Sequence, residues 1–154
     1  MSIKDIFTEI YTYNEWGGEE SISGPGSDYA QTRVIIREIP KLVARYGITS
    51  ILDIPCGDFY WMKNIDLSNI KYTGGDIVDA LIENNNQKFA KNGVTFKSLN
   101  LIEDDLPESD LILCRDCLIH LSLGEVFQAL ITATCNRLLY HRQIQINTFW
   151  KHFL

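Results

Sequence analysis

The sequence predicts an α/β fold: a doubly wound, mostly parallel sheet of about five strands with helices on both faces. Three observations carry this. From Ile48 onward, short apolar runs alternate with segments of helical period. The connections between them are short, as in βαβ units. Asp53 and Asp76 close the first two apolar runs, and sheets of this kind bind ligands beyond the carboxyl ends of their strands, where strand order reverses.

Residues 1–47 precede this alternation. Ile3, Ile6, Phe7 and Ile10 have helical spacing and predict a short amphipathic helix. The stretch from Asn14 to Ser27 holds Trp16-Gly17-Gly18 and Ser23-Gly24-Pro25-Gly26-Ser27, a density of Gly, Pro and Ser that marks a loop. A plain linker would look the same, but a tryptophan in so polar a loop suggests that it packs back over something. Ser27 or Asp28 is placed to cap a second helix, whose buried stripe is expected to be Val34, Ile35, Ile39, Leu42, Val43 and Tyr46. Pro40 is expected to kink it or to begin a second helical piece. Gly47 ends it.

The core is expected over 48–148, the whole chain forming one domain. Ile48 to Ile54 reads as a buried strand, and Trp61 and Met62 sit in a brief helix after it. Ile70 to Asp76 is the second strand, Asp79 to Lys91 a helix closed by Gly93, Val94 to Leu99 the third strand and Asp110 to Cys114 the fourth. Ser122 with Glu125 forms a capping box. It opens a helix with Val126, Phe127, Leu130 and Ile131 on one face. A fifth strand is expected within Leu138 to Thr148, near Gln143 to Asn147.

Composition bounds the function. The 154 residues are 45% hydrophobic and 22% charged, enough for a core without staples. The excess of 20 acidic over 14 basic side chains, a net charge of -6, argues against a general nucleic-acid-binding surface. No apolar run approaches the ~20 residues of a membrane span, and the opening Met1-Ser2-Ile3-Lys4-Asp5 lacks a signal-peptide layout. A cytoplasmic protein with reduced cysteines is expected. Cys114 and Cys117 have Cys-x-x-Cys spacing, but no second pair completes a zinc site, so no metal is expected.

Two patterns point to a nucleoside ligand. In Asp53-Ile54-Pro55-Cys56-Gly57-Asp58-Phe59 a buried strand ends in an acid and turns sharply. A glycine there lets a ligand approach the backbone, although a mere tight turn would look alike. In Tyr72-Thr73-Gly74-Gly75-Asp76-Ile77 the acid lies ~20 residues beyond that turn, where a ribose is gripped through its hydroxyls. An ionised carboxylate accepts both hydrogen bonds of a diol, and Ile77 beside it suits an adenine face. A helix-capping aspartate is the plain alternative. Gly-x-Gly-x-x-Gly is absent, so a pyrophosphate has no cradle and a nicotinamide oxidoreductase is disfavoured.

Taken with Asn100-Leu101 and Asp110-Leu111-Ile112-Leu113-Cys114-Arg115-Asp116, these segments resemble the motif series of class I S-adenosylmethionine-dependent methyltransferases. The resemblance spans roughly Ile48 to Arg137. It is nearest to a bacterial methyltransferase-like group with Pro-Cys-Gly-Asp in the first motif and Cys-Arg-Asp in the fourth; the Ser-Gly-Pro-Gly-Ser loop is similar to that group's N-terminal segment. It implies a Rossmann-like fold, S-adenosylmethionine as cofactor and methyl transfer to a small-molecule acceptor. By position it implies that Asp53 stabilises the turn and the cofactor's amino group, and that Cys56 and Gly57 lie against the methionine portion. It further implies that Asp76 binds the ribose, Ile77 covers the adenine and Asn100 and Leu101 border its edge. Cys114 and Arg115 would face the amino-acid end. Pro55 departs from the family's general glycine but fits the narrower group.

Asp116 and His120 are the catalytic candidates. If their segment is helical they share a face four residues apart, and a His oriented by Asp could take a proton from the nucleophile. Alignment alone serves many methyl transfers, and the alternative is that Asp116 positions substrate and His120 is packed in the turn before Ser122. The resemblance implies seven strands, yet after the fifth only Thr148 to Leu154 remains, too little for a helix and the C-terminal strand pair. The expectations are therefore a shortened or frame-shifted gene, an exposed sheet edge covered by the apolar tail or by a second copy in a homodimer, and, as the rival to an enzyme, an inactive cofactor-binding module.

Overall fold

A computed structural model describes residues 2–135 and 144–147. Helix α1 (Ile3–Tyr13) and helix α2 (Tyr29–Tyr46) lead into a parallel sheet of β1 (Ser50–Asp53), β2 (Lys71–Asp76), β3 (Val94–Ser98), β4 (Leu111–Cys114) and β5 (Ile144–Asn147). Helix α3 (Asp79–Phe89) joins β2 to β3, and α4 (Leu123–Cys135) follows β4. The order β3-β2-β1-β4-β5 reverses direction at β1, so the connections that leave the carboxyl ends of β1 and β4 run apart and leave a crevice between them. The rest of the expected fifth-strand range, 138–143 and 148, and the apolar tail from Thr148 to Leu154 lie outside the described residues.

The side-chain period of two divides the core between the faces of the sheet. Ile51, Leu111 and Leu113 join one cluster with Ile35 and Ile39 of α2 and Leu81 and Ile82 of α3. Leu52 and Ile112, one residue out of step, join a smaller cluster with Ala129 and Ala133 of α4. The larger cluster is aromatic at its centre. Phe59 packs on Tyr72, Phe89 and Phe96 with ring centroids 5.1–5.2 Å apart. Phe59 adopts φ +59, a left-handed conformation that costs about 1–2 kcal/mol, which burial of the ring, worth about 1.5–3 kcal/mol, and its ring contacts offset. Gly74 makes room for this packing: a Cβ there would stand 2.6 Å from the Phe96 ring and 3.0 Å from Cys56 Sγ.

The helices follow their caps. Ser2 and Asp5 form a capping box on α1, worth about 1 kcal/mol. No residue of α1 is fully buried; Phe7 and Tyr11 pack on the core, and Lys4 pairs with Asp79 at 2.8 Å at an exposed site. Asp28 occupies the N-cap of α2 without a side-chain cap bond; the Tyr29 N–H donates to Glu20 at 2.8 Å instead. Pro40 does not divide α2, which runs as one helix from Tyr29 to Tyr46 with Pro40 exposed.

Four apolar positions lie elsewhere than their periodicity suggests, Ile6 of α1, 43% exposed, among them. Tyr46 is 47% exposed, its ring beneath the Arg45 guanidinium in the last turn before Gly47. Phe127 and Ile131 of α4 face outward, at 58% and 50% exposure, because α4 lays its alanines against the sheet. Ser122 and Glu125 do form the expected reciprocal cap. Among the described residues no helix is long and apolar enough to cross a membrane.

Candidate functional site

The turn after β1 is fixed from three sides by backbone geometry. The Ile54 N–H donates to Leu113 O at 2.9 Å and the Cys56 N–H to Gly75 O at 2.8 Å, tying the turn to both neighbouring strands. The Gly57 N–H donates to Asp76 Oδ2 at 3.2 Å, and the Gly57 carbonyl accepts from Asn85 Nδ2 at 2.7 Å. Gly57 takes φ +54, and a Cβ there would collide with Ser23 Oγ. The loop, then, is what requires glycine at this position.

That loop is latched down by Asp58. Ser21 Oγ donates to Asp58 Oδ1 at 2.9 Å, the Ile22 N–H to Oδ2 at 3.1 Å, and the Asp58 N–H to Ser23 Oγ at 3.0 Å. A second anchor lies three residues on, where Arg115 Nη2 donates to Gly26 O at 2.6 Å. The polar loop thus folds back over the crevice and carries Trp16 with it.

Beneath loop and α1 lies a cavity of about 360 Å³ at the carboxyl ends of β1 to β4. Cys56, Gly57, Asp76 and Ile77 stand on its wall, with Asn100 and Leu101 from the end of β3. Arg115, Asp116 and His120 close the β4 side. Asp53 and Cys114 are not on the wall. Asp53 Oδ2 instead accepts the Tyr72 hydroxyl at 2.7 Å, beneath the turn. Burial pushes its carboxyl up to about 7, partly countered by the Tyr72 hydrogen bond. The Cys117 thiol, hydrogen-bonded to Cys114, and burial together raise the Cys114 thiol, so it stays protonated.

Asp76 is equally desolvated, and burial pushes it up to about 6 against the Val78 and Gly57 N–H groups that donate to it and the nearby Ile77 N–H. Asn100 is held by its own loop: its N–H donates to Asp104 at 2.8 Å and its Oδ1 accepts from Ile102 at 2.9 Å. Asp116 and His120 are not on one helical face. Asp116 takes φ +51 and pairs with Arg115 at 2.8 Å, and residues Leu118–His120 form a single 3₁₀ turn. His120 stacks on Trp16, centroids 5.4 Å apart. Asp58, Asn85, Glu20 and Trp61, a further wall residue, were not foreseen; their partners are distant in the sequence and leave no local pattern.

No protein-family model matches the chain, and no curated protein matches it. Solved structures do. N-methyltransferase NodS from Bradyrhizobium japonicum WM9, in complex with S-adenosyl-L-homocysteine, superposes with a TM-score of 0.62 at 16% identity over 80% of this chain. Magnesium protoporphyrin IX methyltransferase from Synechocystis PCC 6803 with bound SAH gives 0.58 at 15% over 84%, and human N-acetylserotonin methyltransferase in complex with SAM gives 0.53 at 16% over 86%. The fold is that of the class I S-adenosylmethionine-dependent methyltransferases. This chain spans 65%, 65% and 38% of those three methyltransferase chains, respectively.

Proposed function

We propose that this chain binds S-adenosylmethionine in the cavity and transfers its methyl group to a small-molecule acceptor. The observation that carries the reading is Asp76, a desolvated carboxylate on the cavity wall at the end of β2, orienting the Gly57 turn beside it. Each carboxylate oxygen accepts one backbone N–H and keeps capacity for another donor. A ribose diol supplies two. Ile77 and Leu101 offer apolar faces for a purine, and Asn100 an edge. The chain has no glycine-rich phosphate cradle, which favours a nucleoside without phosphate over a dinucleotide.

S-Adenosylmethionine, when bound, supplies an electrophilic methyl group on a sulfonium sulfur. The protein's part is to position. Cys56, Gly57 and Arg115 hold the amino-acid end, Asp76 the ribose, and the α1 cover excludes water; alignment of this kind supplies much of the acceleration in transfer reactions. Titration calorimetry with S-adenosylmethionine, S-adenosylhomocysteine and NAD tests the reading. Heat is expected for the first two and none for NAD. Binding of NAD alone would overturn it, and cofactor binding without transfer across a broad acceptor screen would leave a binding module.

A further inference from the structure

The β4 flank of the cavity is built differently from the β1–β3 flank just assigned to the cofactor. Trp16 and His120 stack with centroids 5.4 Å apart and planes at 27°, and Phe7 of α1 meets both edge-on at 6.1 and 6.4 Å. All three rings line the cavity. They come from three separate segments, and Gly24 lies close behind the stack: a Cβ there would stand 3.2 Å from Trp16 Cβ and 3.6–3.7 Å from its indole ring.

Charge on this flank is neutralised internally. The charged side chains on the wall are Asp76, Arg115 and Asp116, and the last two pair with one another at 2.8 Å. A lysine is not among the lining residues. The His120 imidazole has neither a hydrogen bond nor an ion pair among the described residues; its contacts are the rings of Trp16 and Phe7. An imidazole working as a general base needs a partner that fixes its tautomer. Asp116, the nearby carboxylate, is turned away into its left-handed backbone position and holds Arg115 instead.

We infer that this flank is the acceptor subsite for a neutral, planar aromatic molecule, and that Trp16 and His120 serve it as stacking surfaces, His120 acting through its ring and not as a base. The word acceptor rests on the proposed methyl transfer; the aromatic subsite itself rests on the ring cluster. Offset or edge-on ring contacts favour an aromatic guest over a saturated one of equal shape, by about three- to tenfold for a single pair. Asp116, with one carboxylate oxygen held by Arg115, offers the other as a hydrogen-bond acceptor to a hydroxyl or amine substituent without demanding a net charge on it.

The test uses the full chain with 2-naphthol and its saturated counterpart 2-decalol, each titrated by calorimetry with S-adenosylhomocysteine at saturation. 2-Naphthol should bind at least about tenfold more tightly than 2-decalol, two ring contacts being made at once. Trp16→Ala should remove most of that preference. His120→Phe should retain it within about threefold while His120→Ala loses it, because only the ring is needed. S-adenosylhomocysteine affinity should stay unchanged in all three variants. Equal binding of the two probes would overturn the inference, as would equal losses in His120→Phe and His120→Ala. Should wild type bind 2-naphthol in preference to 2-decalol yet fail to bind S-adenosylhomocysteine, the cofactor reading falls and the aromatic subsite stands.

Discussion

Asp53 and Asp76 end neighbouring parallel strands, and both are almost fully buried, at 1% and 7% exposure. Their settings differ. Asp53 lies on the Ile51 side of β1, two residues along the same face, and meets a phenol inside the aromatic cluster. Asp76 meets backbone N–H groups and opens onto the cavity. Burial raises both carboxyls, to about 7 and about 6. The residue type at a strand end therefore says little by itself; the neighbours that solvate the carboxylate decide whether it is a structural group or a ligand-facing one.

Exchanging the two should separate them most clearly. If Asp76 holds the ribose as proposed, Asp76→Ala removes two charge-assisted hydrogen bonds, each worth about 1.5–3 kcal/mol, so S-adenosylhomocysteine affinity should fall at least about 100-fold by calorimetry. Asp53→Asn keeps an oxygen for Tyr72 and leaves the wall intact, so its affinity should change less than about threefold. Similar losses in both would erase the distinction.

Tyr72→Phe attacks Asp53 alone. It strips the hydroxyl that solvates the buried carboxylate, and should cost about 1–3 kcal/mol in chemical denaturation at pH 8. The sign with pH follows from a raised carboxyl: its favourable contribution is complete below the unfolded value near 4 and is lost as pH rises through about 7. Without the phenol that loss extends to higher pH, so the penalty should be smaller at pH 5 than at pH 8. A penalty independent of pH would show that the ring, and not the hydroxyl, was what mattered.

A smaller effect should appear in the pH dependence of binding. On the proposed reading, ribose hydroxyls donate to the ionised form of Asp76, which prevails above about 6. Affinity should be level above that pH and fall about tenfold per unit below it, since binding must then release a proton. Measured in the Asp53→Asn background, the titration isolates Asp76. A flat profile from pH 7 to 5 would mean that Asp76 does not face the ligand.

Much of the fold was legible in the sequence because it rests on period. Runs such as Ile51-Leu52 and Leu111-Ile112-Leu113 serve both faces of a covered sheet and so read as strands. Period does not fix which apolar stripe turns inward when a helix has two: α4 buries Ala129 and Ala133 and leaves Phe127 and Ile131 outside. At the site, Asp76 and Gly57 were recognisable from their spacing. Asp53 was expected at the cofactor's amino group, but the alternation that puts Ile51 in the aromatic cluster also points Asp53 there. The Asp116–His120 pairing assumed a helix, and a left-handed Asp116 ends that geometry at its first residue. Contacts such as Asp58 to Ser21, 37 residues apart, depend on tertiary closure and leave no trace in local sequence.

Surface loops ordinarily absorb insertions and deletions, because closing a slightly longer loop costs little entropy. The segment over the crevice is an exception. Ser21, Ile22 and Ser23 are tied to Asp58 and the Gly26 carbonyl to Arg115, with two residues between the anchors. Adding or removing one residue there must release one anchor or the other, and with it the ring of Trp16 that lies against Gly24. In that sense the length of this loop is as much a part of the site as the identity of any side chain in it.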